Sequence, residues 1–510
     1  MRSPVSDRIR AAHAATRDAA RSKAVGRQHD RGKLTARERI EILTGGATFV
    51  EFGALATPGD QSRAVDAPGD GVVTGIGRID GRPAAIVAFD FTVLGGSNGE
   101  VGMSKIERCA ARALQDRIPL VLLCDGGGHR IQEGLDSRSA ALGSPMLARL
   151  IDLSGLVPTV AAMMGPGFGL ATNLAALCDL VVVVRGTGTI GMSSAPFVRA
   201  GTGEDLTNEE IGGGDVQAER GVVDIAADDE HEALDAIRAY LGYLPAHADG
   251  PAPRVSMPQQ AVVDLDSIIP DSPRRAYDIL DVVEGLVDRD SVLEIRPTAA
   301  PNIVTCLTRI DGHPIGVIGN QPRHLGGALD SAACEKAAHL AAVCDAFGLP
   351  LLILIDLPGF LIGSAAESTQ LARRSGRLMF ELGRATVPRF TIVVRKGYGA
   401  AYIAMGGGRS IDADLSLAWP TAEICAMPIE GAVDIAFGRE IAAAPDPHSR
   451  REELVEGFRA NVHPVRAASG FGIDDVVAPS ATRELLIESL SRCRRHADRV
   501  PGKRRTISPI

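Results

Sequence analysis

The sequence predicts an α/β protein built from two tandem copies of one strand-and-helix unit, and three observations carry that expectation. Short apolar runs alternate with helical stretches along the 510 residues, the rhythm of βαβ units rather than of a sandwich. The chain matches itself at a shift of about 230 positions. A segment rich in Pro, Ala and Gly without period, GYLPAHADGPAPRVSMPQQ, separates the two halves.

Taken in order, residues 5–25 are rich in Ala and Arg and predict a helical arm, followed by HDRGKLTARERIEIL, in which Thr35 and Glu38 have capping-box spacing. From Gly71 the runs GVVTGIGRI, AAIVAFDF, PLVLLCD, PTVAAMMG and DLVVVV predict strands, with SKIERCAARALQDR as an intervening helix. A second series starts near residue 302 with NIVTCLTRI, PIGVIGN, PLLILID, RFTIVVR and LSLAW. The expected organisation is a domain over 1–243, a linker over 244–262 and a domain over 263–510.

The self-match is ordered. A shift of 231 superposes Gly95-Gly96 on Gly326-Gly327, Lys105 on Lys336, Pro119 on Pro350 and Asp125 on Asp356. With one residue deleted, a shift of 230 superposes Pro158 on Pro388, Gly167-Phe168-Gly169 on Gly397-Tyr398-Gly399 and Ala171 on Ala401. Matches at successive strand ends point to an internal duplication.

Composition narrows the function classes. An apolar fraction of 45% with 23% charged residues is that of a folded globular chain. Aromatics at 4% and a net charge of −9 argue against a nucleic-acid partner. Eight scattered cysteines without a CxxC pair read as buried thiols of a reducing cytoplasm, and no apolar run predicts a membrane span or a signal peptide.

Each half carries a buried strand running into a Gly-rich turn, PLVLLCDGGGHRIQEG (119–134) and PLLILIDLPGFLIG (350–363). Each also has a second strand feeding a small-residue turn that opens a helix, MMGPGFGLATNLAAL (163–177) and VVRKGYGAAYIAMGGG (393–408). Unpaired N–H groups at a helix start stabilise an oxyanion, so the two turns of each half make one candidate oxyanion hole. There is no HExxH, GxSxG, GxxxxGK[ST] or metal-spaced Cys/His cluster, which leaves chemistry done by backbone dipoles and no expected metal. GPGFGL lacks the third glycine of a dinucleotide fingerprint. The acidic TGEDLTNEE lacks the alternating ligand spacing of a calcium loop. Lys33, Arg37 and Arg39 are candidates for the phosphates of a ligand, although charges on such a helix are more often solvated or paired.

These residues resemble the β subunits of biotin-dependent acyl-CoA carboxylases, the propionyl-CoA and methylcrotonyl-CoA carboxylase type. GKLTARERI, RIQEG, TGEDLTNEEIGG, IIPDSPRRAYD, GNQP, KAAHLAAVCDAFGLPLLILIDLPGF, RKGYGAAY and DADLSLAWPTAEI look like that family's signatures in the same order. The resemblance implies a fold of two tandem crotonase-like (ClpP/crotonase) β-β-α superhelix domains. It implies carboxyl transfer from carboxybiotin to the α-carbon of an acyl-CoA, with biotin arriving on a partner biotin carboxylase and carrier subunit. It implies a hexamer, a trimer of dimers, in which the N-terminal domain of one chain meets the C-terminal domain of another.

Carried onto this chain, the family pattern gives Gly169 and Leu170 as donors to the thioester enolate with Gly127 and Gly128 facing them. It gives Ala400 and Ala401, after Gly399, as donors to the biotin ureido oxygen with Gly359 facing them. His129 and Ile403 fall where the acyl pocket is expected. The chain departs from the pattern in having Leu170 and Ala400 where the family has the second glycine of each turn, residues that a positive φ would strain. Three other readings compete: a decarboxylase subunit running the transfer backwards, a lone crotonase-like hydratase or thioesterase using Glu133 or His129, and a non-catalytic scaffold paralogue.

Overall fold

A computed structural model of the protein describes residues 4–59, 67–137, 141, 143–256, 263–270, 272, 275–493 and 505–508. The basic stretch from 494 to 504 and residues 257–262 of the expected linker lie outside the described residues. The chain forms two compact units, residues 1–251 with 506–509 and residues 252–505 with 510. Ser154 Oγ donates to the Ile507 carbonyl at 2.9 Å and accepts from its N–H at 3.0 Å, which fastens the end of the chain within the first unit.

The N-terminal arm is helical, as α1 (Pro4–Ala15), α2 (Ser22–His29) and α3 (Ala36–Thr44). Thr35 Oγ1 accepts from the Glu38 N–H at 3.2 Å while the Glu38 carboxylate accepts from the Thr35 N–H at 2.8 Å, so two orphan donors at the start of α3 are satisfied reciprocally. Beyond the arm, β1 (Val50–Phe52), β2 (Val72–Ile79), β3 (Arg82–Phe89), β4 (Leu120–Cys124), β5 (Thr159–Met163), β6 (Leu180–Val184) and β7 (Ile225–Ala227) lie side by side in chain order. The first three are antiparallel and β3 to β7 parallel. Strands β4, β5 and β6 are buried at every position, which is why they read as unbroken apolar runs. Helix α4 (Glu100–Asp116) links β3 to β4, α5 (Pro145–Leu153) links β4 to β5 and α6 (Leu170–Ala176) links β5 to β6; α7 (Glu230–Tyr243) follows β7. On α4, Ile106, Cys109, Ala110 and Ala113 fall three and four apart, so one face meets Val72, Val87, Leu120 and Leu122 in the core.

The second unit repeats the plan. After α8 (Ile279–Leu286), the strands β8 (Leu293–Glu294), β9 (Ile303–Ile310), β10 (His313–Asn320), β11 (Leu351–Leu357), β12 (Arg389–Tyr398) and β13 (Leu415–Ala418) are neighbours in that order. The far end of β12 also pairs with β14 (Glu423–Cys425), and β15 (Asp475–Val476) pairs with β13. Helices α9 (Ser331–Phe347), α10 (Leu371–Arg384) and α11 (Gly399–Ala404) take the crossover positions. A helical hairpin, α12 (Ile429–Ala443) and α13 (Pro447–Arg459), follows β14 and packs through Ile429, Val433, Val455 and Val462; α14 (Thr482–Arg492) ends the unit.

The duplication extends to individual hydrogen bonds. Lys105 Nζ donates to the carbonyls of Gly69 and Val72 at 2.8 and 2.5 Å, and Lys336 Nζ to those of Ala299 and Ile303 at 2.9 and 2.7 Å. Burial pushes both ammonium groups down to about 8. The left-handed pair Leu94-Gly95 recurs as Leu325-Gly326.

Candidate active site

In the first unit, β4 ends in the turn Asp125–Arg130 and β5 in the turn Gly165–Gly169 that opens α6. The turns are tied together, since the Gly126 N–H donates to the Pro166 carbonyl at 3.2 Å and a Cβ on Gly128 would stand 3.3 Å from the Phe168 carbonyl oxygen. Behind them the buried Asp125 carboxylate meets Lys33 Nζ at 2.6 Å, an Arg39 nitrogen at 2.8 Å and Gln28 Nε2 at 3.1 Å. Arg39 also pairs with Glu230 through Nε at 2.7 Å. Gly165 is required here, because a Cβ would lie 1.8 Å from Asp125 Oδ1 and 2.6 Å from Lys33 Nζ.

Lys33, Arg37 and Arg39 are therefore internal supports. Arg37 holds Glu51 through two bonds of 2.9 Å, and neither Lys33 nor Arg39 is exposed to a phosphate. The sequence favoured pairing or solvation for these charges but could not name the partners, of which Asp125 and Glu230 lie far along the chain.

The peptide groups divide into engaged and open donors. The Gly127 N–H donates to the Gly95 carbonyl at 3.1 Å and the Gly169 N–H to that of Gly191 at 3.1 Å. Those two glycines shape the site but offer it no hydrogen, which corrects the expectation of a donor at Gly169. Among the described residues, no partner inside the unit meets the N–H of Gly128, Leu170 or Ala171. Gly169 has φ 64° and Leu170 an ordinary helical φ, so the departure from Gly-Gly leaves no strain.

The second unit presents the same geometry. Phe360 bridges Leu329 as His129 bridges Asn98, and Tyr398 stands opposite Cys425 as Phe168 stands opposite Gly191. Gly359 thus corresponds to Gly128, and the place of Gly127 is taken by Pro358, which has no N–H at all. Gly399 carries the positive φ, 67°, while Ala400 and Ala401 lie in the first turn of α11 without strain. Among the described residues, the N–H groups of Gly359, Ala400 and Ala401 have no partner inside the unit. The buried Asp356 carboxylate behind them is met by Arg395 Nε at 3.0 Å, the Tyr277 hydroxyl at 2.9 Å and the Lys396 N–H at 3.0 Å. Burial pushes this carboxyl up, against the opposing pull of Arg395.

Side-chain acid–base groups contribute little. Glu133 accepts from Arg130 at 2.6 Å and from the Glu100 N–H at 2.8 Å, so both of its oxygens are occupied. His129 is exposed beside the Gly128 turn, its ring against Gly134, and Ile403 is exposed on α11. The acidic loop at 202–210 caps a helix, with Thr207 and Glu210 in reciprocal hydrogen bonds. Among the described residues, no group of three or more His, Cys, Asp or Glu side chains is placed to hold a metal ion, and no helix is long and apolar enough to cross a membrane.

Two open donors on one turn and a third on its neighbour, twice over, form two sites suited to transient negative charge on oxygen. Sequence reading superposed Ala171 on Ala401 but did not name Ala171 among the donors, and it treated Gly127 on a par with Gly128. Carrying the shift of 231 on to Gly128 pairs it with Gly359, and Gly127 with Pro358.

Comparison with known proteins agrees with this geometry. The carboxyl transferase domain family matches residues 27–507. The propionyl-CoA carboxylase carboxyltransferase subunit of Haloferax mediterranei is 39% identical over 494 residues, covering 95% of each chain. The biotin-dependent acetyl-/propionyl-coenzyme A carboxylase beta5 subunit of Mycobacterium leprae is 39% identical, covering 94% of this chain and 91% of its own. The transcarboxylase 12S crystal structure, described as a hexamer with methylmalonyl-coenzyme A bound, superposes with a TM-score of 0.87 at 36% identity, covering 95% of this chain and 94% of its own. The fold is accordingly the duplicated crotonase type, and the chain belongs to the carboxyl transferase family as a carboxyltransferase of the acyl-CoA carboxylase kind.

Proposed function

We propose that the chain transfers a carboxyl group from carboxybiotin, carried by a separate biotin carboxylase and carrier assembly, to the α-carbon of an acyl-CoA. The observation that carries this reading is the pair of equivalent open donor sets, Gly128 with Leu170 and Ala171 in the first unit and Gly359 with Ala400 and Ala401 in the second. In this reading the first unit is the acyl-CoA domain and the second the carboxybiotin domain. Breaking the α-C–H bond puts charge on the thioester oxygen, which accepts from the first set, while the second set holds the ureido oxygen. The open amides at the start of α11 fit a ureido oxygen, since each offers a hydrogen and no competing acceptor stands among the described residues. Carboxybiotin supplies the carboxyl group and, once that is released, the ring nitrogen that takes the α-proton. That assignment agrees with Glu133 being occupied, and it disfavours a hydratase, which would need that carboxylate free.

The working assembly is a homo-hexamer, a trimer of dimers, in which the first unit of one chain works with the second unit of another, with His129 and Ile403 lining the acyl side. The hexamer named for the transcarboxylase relative supports this. Eight cysteines, all unpaired, support a cytoplasmic setting. The test uses methylmalonyl-CoA and free biotin as probes: the purified chain is expected to remove the carboxyl group from methylmalonyl-CoA only when biotin is added. Removal at the same rate without biotin would overturn the reading.

A further inference from the structure

The two copies share their backbone around the open glycine donor but differ in what supports it. In the first unit Arg130, buried, reaches three places from one side chain: Asp70 Oδ1 at 2.7 Å, Glu133 Oε1 at 2.6 Å and the Ser97 carbonyl at 3.2 Å. Both acids are fixed to the start of α4, Asp70 by the Gly102 N–H at 2.7 Å and Glu133 by the Glu100 N–H at 2.8 Å. The Arg130 N–H donates to the Asn98 carbonyl at 2.9 Å, and the Asn98 N–H donates to the Gly128 carbonyl at 2.8 Å. With Gly127 held by Gly95, the peptide group bearing the Gly128 hydrogen is bracketed by anchored neighbours on both sides.

The second unit keeps one side of this bracket, Leu361 to Leu329 at 2.8 Å and Leu329 to Gly359 at 3.1 Å, and among the described residues no Arg-Asp pair stands behind it: Asp330 caps the Ala333 N–H at 2.8 Å, as Asp70 holds that of Gly102, and its neutral partner is Asn302 Nδ2 at 3.3 Å. Leu361 stands where Arg130 does. Ala300, at φ 43°, stands where Asp70 is, at φ 53°. The turn therefore forms without the Arg-Asp pair, and folding alone does not explain a buried ion cluster that costs desolvation.

We propose that Arg130, held by Asp70 and Glu133, is a positioning residue that fixes the direction of the Gly128 N–H toward the oxygen charged during reaction. The inference rests on the acyl-CoA reading of the first unit. An arginine fork with three fixed partners resists reorientation more than the Leu361 side chain that takes its place in the second copy, and a donor that must meet developing charge gains most from such rigidity.

The second copy supplies the test, since Asp70→Ala with Arg130→Leu puts its residues in place of the pair, although the second copy also has Asp330 capping the helix where the first has Gly99. With methylmalonyl-CoA and free biotin, the double variant should stay folded, lose roughly tenfold to a hundredfold in kcat and keep its KM for the CoA ester within about twofold. Arg130→Lys, which retains a charge but not the fork, should fall between. A folded double variant with wild-type kcat would overturn the inference, as would activity lost only in proportion to unfolded protein, or a lysine variant no better than the double variant. Should the double variant not fold, Arg130→Lys decides alone: a lowered kcat at unchanged KM supports positioning, and a wild-type kcat refutes it. A wild-type chain without biotin-dependent activity would sink the acyl-CoA reading itself, a result separable from any difference between variants.

Discussion

At the scale of single residues, the site is decided by which glycines face a neighbour. Gly165 has Asp125 Oδ1 where a Cβ would go, at 1.8 Å, whereas a Cβ on Gly127 would meet nothing closer than the Gly95 carbonyl oxygen at 3.8 Å. Gly165→Ala should therefore cost at least about 1–3 kcal/mol in a denaturant melt, because the Asp125–Lys33 pair must move. Gly127→Ala should stay within about 0.5 kcal/mol of wild type and keep its activity, since the Gly127 N–H is already spent on Gly95. Activity lost in a stable Gly127→Ala protein would return Gly127 to the list of donors. The motifs made the glycine-rich turns legible, and the family resemblance pointed within them to Gly128, Leu170, Ala400 and Ala401. What they could not reveal is which amide is free, because the acceptors at Gly95 and Gly191 belong to other segments.

At the scale of elements, strands read easily because buried parallel strands are continuous apolar runs, and α3 read easily because its cap is local. Three-residue strands such as β1, β7 and β14 carry too few positions for a period, and they went unread. The matched lysines on α4 and α9 tie each crossover helix to the start of β2 and β9 respectively. Lys105→Met strips two carbonyls of their donor and should cost about 1–3 kcal/mol. The pH dependence has a definite sign. The unfolded chain keeps this proton up to about 10.5, whereas the folded chain releases it at about 8, so raising the pH between those values stabilises the wild type and not the variant. Thermal melts should show the gap between the two proteins widening from pH 7 to pH 10, and a gap that narrows would contradict the assignment of a neutral buried amine.

At the scale of the whole molecule, the self-match of the sequence was the strongest clue, and it is repeated in the sheets, the left-handed turns and the lysine contacts. The end of the chain was less legible: residues 506–508 belong with the first unit through Ser154, a contact between positions far apart in sequence. Thiol accessibility offers a check on the folded whole. Cys109, Cys124, Cys178, Cys306, Cys334 and Cys344 are buried, and burial pushes Cys109, Cys124 and Cys334 up to about 12. Brief alkylation at pH 8 should label no thiol besides Cys425 and Cys493 in the native protein and all eight cysteines after denaturation, as read by mass spectrometry. The central claim, that open amides in both copies carry the transfer, is tested most directly by measuring biotin-dependent turnover of Leu170→Pro and Ala401→Pro. Proline is tolerated in the first turn of a helix and lacks only the hydrogen in question. Each folded variant should lose about 10²- to 10³-fold in kcat, and a folded variant turning over at the wild-type rate would contradict the account.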